Sequence, residues 1–203
     1  VIKPQHALER LEALTRDHDR YITTEVGQHQ MWAAQFLHFE GPNRWMTSGG
    51  LGTMGYGLPA AIGAKLAAPE RPVVCLVGDG ALMFSIQELM TAVELGLDLP
   101  VICVDNGGYG EIRQNMVDRS IQPLGVDLVQ PDWAALAAAF GAHGRRIERR
   151  DDVVPGIRDA IAAGGVQLVH LPQHLLDACQ YDLLRPHQRG DRRHPVGDLA
   201  PTV

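Results

Sequence analysis

Two short runs, 73–77 (VVCLV) and 101–104 (VICV), carry no polar alternation, the pattern of strands covered on both faces. Between them, Ile86, Leu89, Met90 and Val93 recur at helical intervals, predicting a helix over 85–95. Strand, helix and strand in this order predict a right-handed crossover with both strand ends on one sheet edge. Upstream, residues 7–15 (ALERLEALT) predict a short amphipathic helix, and 21–24 (YITT) a strand entering a loop at 25–27. Residues 58–66 (LPAAIGAKL) predict a helix with Pro59 in its first turn, where a missing N–H costs nothing. Gly63, among small alanines, reads there as a point of close packing.

Downstream, Asp132 reads as the N-cap of a helix over 133–140 that Gly141 ends, and 145–148 as a short strand. Asp151 and Asp152 open a helix reaching about residue 163, with Pro155 in its first turn. Gly164 and Gly165 stop it before a last strand, 166–171 (VQLVHL). The alternation predicts an α/β fold: a doubly wound, mostly parallel sheet with helices on both faces. From residue 185 apolar content collapses into Pro, Arg, His and Asp, predicting one domain over 1–184 and a disordered tail over 185–203.

Composition narrows the function classes. A chain of 203 residues at 45% hydrophobic content has enough apolar surface for one full core. A net charge of −6 and a pI near 5.8 argue against nucleic acid or an acidic membrane as partner. Nothing resembles a signal peptide, and no apolar run reaches the roughly 18 residues that span a bilayer. Three cysteines make no disulfide framework, and Cys75 and Cys103 fall inside the predicted strands, pointing to a reduced, cytoplasmic setting. The first residue is Val1 rather than Met, so the sequence reads as part of a longer polypeptide.

The candidate chemistry lies at the two strand ends. Gly78-Asp79-Gly80 closes the first run and Asn106 the second. Neighbouring carboxyl ends are where open α/β sheets bind ligands. A carboxylate and an amide oxygen suit Mg²⁺, which takes oxygen ligands and keeps positions for phosphate and water. The glycines permit close backbone approach to phosphate oxygens, and the N–H groups from Ala81 onward face a diphosphate at a helix start. A rival pattern is Gly50-x-Gly52-x-x-Gly55, which matches the dinucleotide fingerprint of a nicotinamide-binding Rossmann domain, with Asp79 as its ribose acid. That fingerprint needs a hydrophobic strand directly before it, and Pro42 and Asn43 leave at most three strand-like positions.

Gly78-Asp79-Gly80, 25 residues and then Asn106 resemble the thiamine diphosphate (ThDP) binding motif. Gly27-Gln28-His29-Gln30-Met31-Trp32, the stretch from Ser48 to Gly55, and Leu58-Pro59-Ala60-Ala61-Ile62-Gly63-Ala64 extend the likeness. Together they are similar to the carboxyl-terminal, diphosphate-binding domain of the acetolactate synthase and 2-oxo-acid decarboxylase superfamily. The resemblance implies that Asp79, Asn106 and the Gly108 carbonyl hold Mg²⁺. It implies that Gln28, His29 and Ala81 contact the diphosphate, with Gly78, Gly80 and Tyr109 completing the cofactor site. The backbone at Gly52 and Met54 would bond the aminopyrimidine, and the Met54 side chain would prop the cofactor in its bent conformer.

In that superfamily a glutamate on the pyrimidine-binding domain of a partner subunit activates the cofactor. Nothing in this sequence matches that domain, so the resemblance implies half of an active site, a 2-oxo-acid substrate, and a homodimer or homotetramer in the full-length protein. Asp105 stands where acetolactate synthases typically have the first of two asparagines, and the following tryptophan is absent, leaving the second substrate undefined. Glu111 and Arg113 follow closely enough to face a substrate. The alternative is a truncated or non-catalytic ThDP-binding module.

Overall fold

Val73–Gly78 (β3) and Leu99–Val104 (β4) are buried at every position, as uninterrupted apolar strands at the centre of a sheet must be. In the computed structural model, which describes residues 4–172, they pair in parallel with Cys75 opposite Val101 and Gly78 opposite Val104. Tyr21–Thr24 (β1), Trp45–Thr47 (β2), His143–Arg146 (β5) and Val166–Leu171 (β6) complete a sheet ordered β2-β1-β3-β4-β6-β5, parallel throughout. The end of the predicted domain at 184 and the tail over 185–203 lie outside the described residues.

Side-chain alternation divides the core between the two faces. Ile22, Val74, Leu76, Ile102 and Val169 face a layer built from Pro4–Thr15 (α1), Gln28–Phe36 (α2) and Val153–Ala162 (α8). Val73, Cys75, Val77, Val101 and Cys103 face Gly57–Ala67 (α3), Glu88–Glu94 (α5) and Trp133–Ala139 (α7). Both cysteines are free and buried, as predicted. Between these helices lie two more, Asp79–Leu82 (α4) and Gly110–Asp118 (α6).

The topology fixes where a ligand can sit. From β1 the chain leaves through α2 to β2 on one side, then returns through α3 to β3 on the other. Connections diverge between β1 and β3, so their carboxyl ends flank an open crevice.

Most predicted elements are present. Asp132 caps α7 by accepting the Ala135 N–H at 3.0 Å, and Gly141 ends the helix with φ +82°. Pro155 lies in the first turn of α8, which a 3₁₀ turn over Arg150–Asp152 precedes. The last strand matches 166–171. Pro100 extends β4 toward its start, where its absent N–H is harmless because the ladder with β3 begins only at Val101.

Two expectations need correction. The helix predicted over 85–95 is shorter at its start: α4 ends at Leu82, and α5 begins only at Glu88. Between them Phe84, Ser85, Glu88, Leu89 and Met90 bond three residues back, to Ala81, Leu82, Ser85, Ile86 and Gln87, the tighter 3₁₀ pattern. Gly63 is exposed on α3 with open space where a Cβ would stand, so it mediates no close packing. The at most three strand-like positions allowed before the glycine fingerprint form a three-residue edge strand, β2. The fingerprint must therefore be judged on what surrounds it.

Candidate functional site

At the carboxyl edge, the β1–α2, β3–α4 and β4–α6 turns enclose a cavity of about 180 Å³. Gln28, His29, Met54, Gly78, Asp79, Gly80, Ala81, Asn106, Gly108 and Tyr109 all line it. Gly52 does not: it sits on an exposed loop with φ +70°, and its N–H is donated to Ser48 O at 3.0 Å. Of the two residues proposed to face a substrate, Glu111 reaches the cavity wall. Arg113 turns away and pairs with Asp127 at 2.9 Å.

The metal candidates converge. Asn106 Oδ1 stands 3.2 Å from Asp79 Oδ1 and 2.9 Å from the Gly108 carbonyl oxygen, while its Nδ2 donates to Gln28 Oε1 at 2.8 Å. Three oxygens so spaced repel one another unless the amide turns to put N–H between them or a cation lies there. Oxygens about 2.0–2.1 Å from an octahedral Mg²⁺ are separated along each edge by about 2.9 Å. A carboxylate, an amide and a carbonyl are the hard donors that ion takes, so the residues present fit it. Among the described residues no three His, Cys, Asp or Glu side chains converge as a conventional metal cluster.

Backbone shape makes the convergence possible. A Cβ at Gly108, where φ is +139°, would lie 2.2 Å from Val126 O. A Cβ at Gly110 would strike Asn106 Nδ2 at 2.3 Å. Both positions therefore exclude a side chain, and the loop can fold tightly enough to aim Asn106 and the Gly108 carbonyl at Asp79.

Electrostatics sharpen the picture. Asp79 is almost wholly buried, and burial, helped by the nearby Asp105 charge, pushes its carboxyl up to about 7. Its Oδ2 accepts Gln130 Nε2 at 2.7 Å. His29 is buried beside Gly78, and burial lowers its pKa to about 4, so it is neutral near pH 7. Its Nε2 is buried without a hydrogen-bond partner, on a side chain that lines the cavity. Neutral imidazole offers one N–H, and an acceptor oxygen in the cavity would satisfy it. The first N–H groups of α4 lack helical partners for the same structural reason.

Sequence reasoning missed three participants. Gln130 reaches Asp79 from a loop that also clamps the metal segment, through Tyr109 N to Val126 O at 2.8 Å and Leu128 N to Gly107 O at 2.9 Å. Fifty-one residues separate it from Asp79, and it carries no motif. Behind the segment, His170 Nε2 meets Asp105 Oδ2 at 2.8 Å, with both residues buried, while Asp105 Oδ1 accepts Gly107 N–H at 2.9 Å. A histidine ending an apolar strand was the available signal. Glu25 is the third, buried at the end of β1 with Oε2 accepting Gly55 N–H at 2.7 Å.

The same geometry removes the nicotinamide reading. The fingerprint needs a strand leading into its first glycine and a helix opening within it, whereas β2 ends at Thr47 and α3 opens only at Gly57. Gly50 faces open space, with no helix packed against it.

Comparison with known proteins agrees. The family model described as thiamine pyrophosphate enzyme, C-terminal TPP binding domain, matches residues 25–171. The chain is similar to the acetolactate synthase isozyme 3 large subunit of Escherichia coli K12, at 42% identity over 79% of this chain and 28% of that protein. It is 43% identical to the isozyme 2 large subunit of the same organism, over 75% of this chain and 28% of the relative. Chloroplastic acetolactate synthase 2 of Brassica napus is 39% identical over 92% of this chain and 29% of the relative. The chain thus spans little more than a quarter of the length of these relatives. With fold, cavity and family match in agreement, the chain belongs to the thiamine pyrophosphate enzyme family, through its C-terminal TPP-binding domain.

Proposed function

We propose that this chain is the Mg²⁺- and diphosphate-binding half of an acetolactate synthase-like active site acting on 2-oxo acids, by decarboxylation with or without carboligation. The observation that carries this reading is the Asn106 amide standing 3.2 Å from Asp79 Oδ1 and 2.9 Å from the Gly108 carbonyl oxygen beside a cavity. Those three groups would hold Mg²⁺. Gln28, neutral His29, Tyr109 and the N–H groups at Gly80 and Ala81 would take the diphosphate. Met54 reaches the cavity from the glycine-rich loop and would support the cofactor as an apolar wedge, with the backbone at Met54 and the Gly52 carbonyl bonding the pyrimidine edge. When bound, ThDP supplies an acidic thiazolium C2–H and an electron sink for the pair released on decarboxylation.

The site is completed from outside these residues. Leu51, Phe84 and Ile112, on or beside the loops of the cavity, are 96%, 58% and 52% exposed. Apolar side chains so placed favour coverage by a second domain. That domain would carry the activating glutamate, in a homodimer or homotetramer. Buried free Cys75 and Cys103 favour a cytoplasmic setting. Among the described residues no helix is long and apolar enough to cross a membrane.

The test is turnover. The chain, supplied with its pyrimidine-binding domain, ThDP and Mg²⁺, is expected to release CO₂ from a 2-oxo acid. Tight ThDP binding without CO₂ release from any 2-oxo acid would favour the non-catalytic module instead.

A further inference from the structure

Glu25 is a buried ionisable group next to Val26, which lines the cavity, and the reading above gives it no role. It follows β1 with no exposed surface, and its Oε2 accepts the Gly55 N–H at 2.7 Å while its Oε1 is buried without a hydrogen-bond partner. The glycines around this point of the fold belong to different parts of the cradle. Gly55 follows Met54 on the glycine-rich loop, Gly57 opens α3, and Gly78 precedes Asp79 at the end of β3. Because β1 pairs with β3, Thr24 opposite Leu76, the Glu25–Gly55 bond ties the glycine-rich loop to the strands that carry the metal side.

The two sides depend on it unequally. Gly78 is fixed by the sheet, in register with Val104. The loop over 48–56 has no ladder. Gly52 N to Ser48 O at 3.0 Å and Thr53 N to Ser48 Oγ at 2.6 Å hold it only to itself. Its attachment to β1 runs through Thr23, which donates to Gly57 O at 2.8 Å, and through Glu25, which grips the residue after Met54. Gly55 itself has φ +79°, a left-handed conformation that glycine adopts without strain.

We propose that Glu25 is a positioning residue that sets the Met54 loop against the metal strand, and so fixes the pyrimidine end of the cofactor relative to its diphosphate end. It donates nothing to the cofactor and touches no reacting atom. This inference rests on the ThDP reading and adds to it. An amide at position 25 can still accept the Gly55 N–H but without the charge of a carboxylate, so the clamp is weakened while the volume is conserved.

The experiment compares the wild-type chain, Glu25→Gln and Asp79→Ala by calorimetry in Mg²⁺, with ThDP and with inorganic diphosphate as separate ligands. Loss of one charge-assisted hydrogen bond at a positioning contact should weaken ThDP roughly tenfold in Glu25→Gln. Diphosphate affinity should stay within about twofold of wild type, because β3 still holds Asp79. Asp79→Ala should lose both ligands. Equal affinities of wild type and Glu25→Gln for ThDP overturn the proposal, as does an equal loss of both ligands. Wild type binding neither ligand overturns the ThDP reading instead. In that case, or if Glu25→Gln fails to fold, amide exchange in the wild-type chain decides. The Gly55 N–H should exchange at least tenfold more slowly than that of Met54, and equal rates overturn the clamp.

Discussion

Glu25 and His29 lie within five positions of one another, both buried, and burial moves them in opposite directions. Glu25 is raised to about 7 from its ordinary 4.5, despite the backbone bonds that favour its charge. The native state therefore holds the proton more tightly than the unfolded chain. Its stabilising contribution is complete below pH 4.5 and is lost as pH rises through 7. His29, lowered to about 4 from 6.5, contributes stability that is complete above pH 6.5 and is lost as pH falls through 4. Each swing is on the order of 3 kcal/mol, so the two largely cancel in the wild-type profile. Denaturant unfolding of single variants should expose them. Glu25→Gln should gain stability relative to wild type between pH 4.5 and 7, whereas His29→Asn should gain it as pH drops from 6.5 to 4. Parallel profiles for both variants and wild type would contradict the burial assigned to these groups. Asp79 and Asn106 were candidates in the sequence because motif spacing carried them, and Met54 only through the resemblance. Glu25 was not, because a carboxylate at a strand end reads the same whether solvated or clamped.

At the scale of elements, the metal segment over 105–110 is held from two sides. The loop over 126–130 grips it in front and the Asp105–His170 pair supports it behind. Replacing His170 by Leu leaves Asp105 as a buried carboxylate without its partner. The expected cost is about 3 kcal/mol of stability, read by urea unfolding, together with weaker Mg²⁺-dependent ThDP binding. Gly108→Ala should spare the core but displace the loop, since its Cβ has no space beside Val126 O. The variant is predicted to keep most of its melting temperature while losing ThDP affinity at least tenfold, by about one lost ligand bond. The strands were legible because full burial writes a continuous apolar run. The helix over 85–95 was misread because i, i+3 spacing serves both an α-helix and the 3₁₀ turns that link α4 to α5. β2 was nearly invisible, since three half-buried residues at a sheet edge leave almost no pattern.

For the whole molecule, the crevice between β1 and β3 explains why residues from four separate segments meet. Gln28 and His29 follow β1, Met54 follows β2, Asp79 follows β3, and Asn106 follows β4. A parallel sheet brings all four strand ends to one edge, so the site follows from topology rather than from any single motif. That topology was readable from alternating elements, whereas the contribution of the 126–130 loop was not, because its contacts span long sequence separations. The central claim is that Asp79, Asn106 and Gly108 clasp one Mg²⁺ that grips a diphosphate. The most direct measurement is a calorimetric titration of the wild-type and Asp79→Ala chains with ThDP, with and without Mg²⁺. The account predicts binding by wild type that vanishes on chelating Mg²⁺ and is absent from Asp79→Ala. Binding that is equal with and without Mg²⁺, or unchanged in Asp79→Ala, would contradict it.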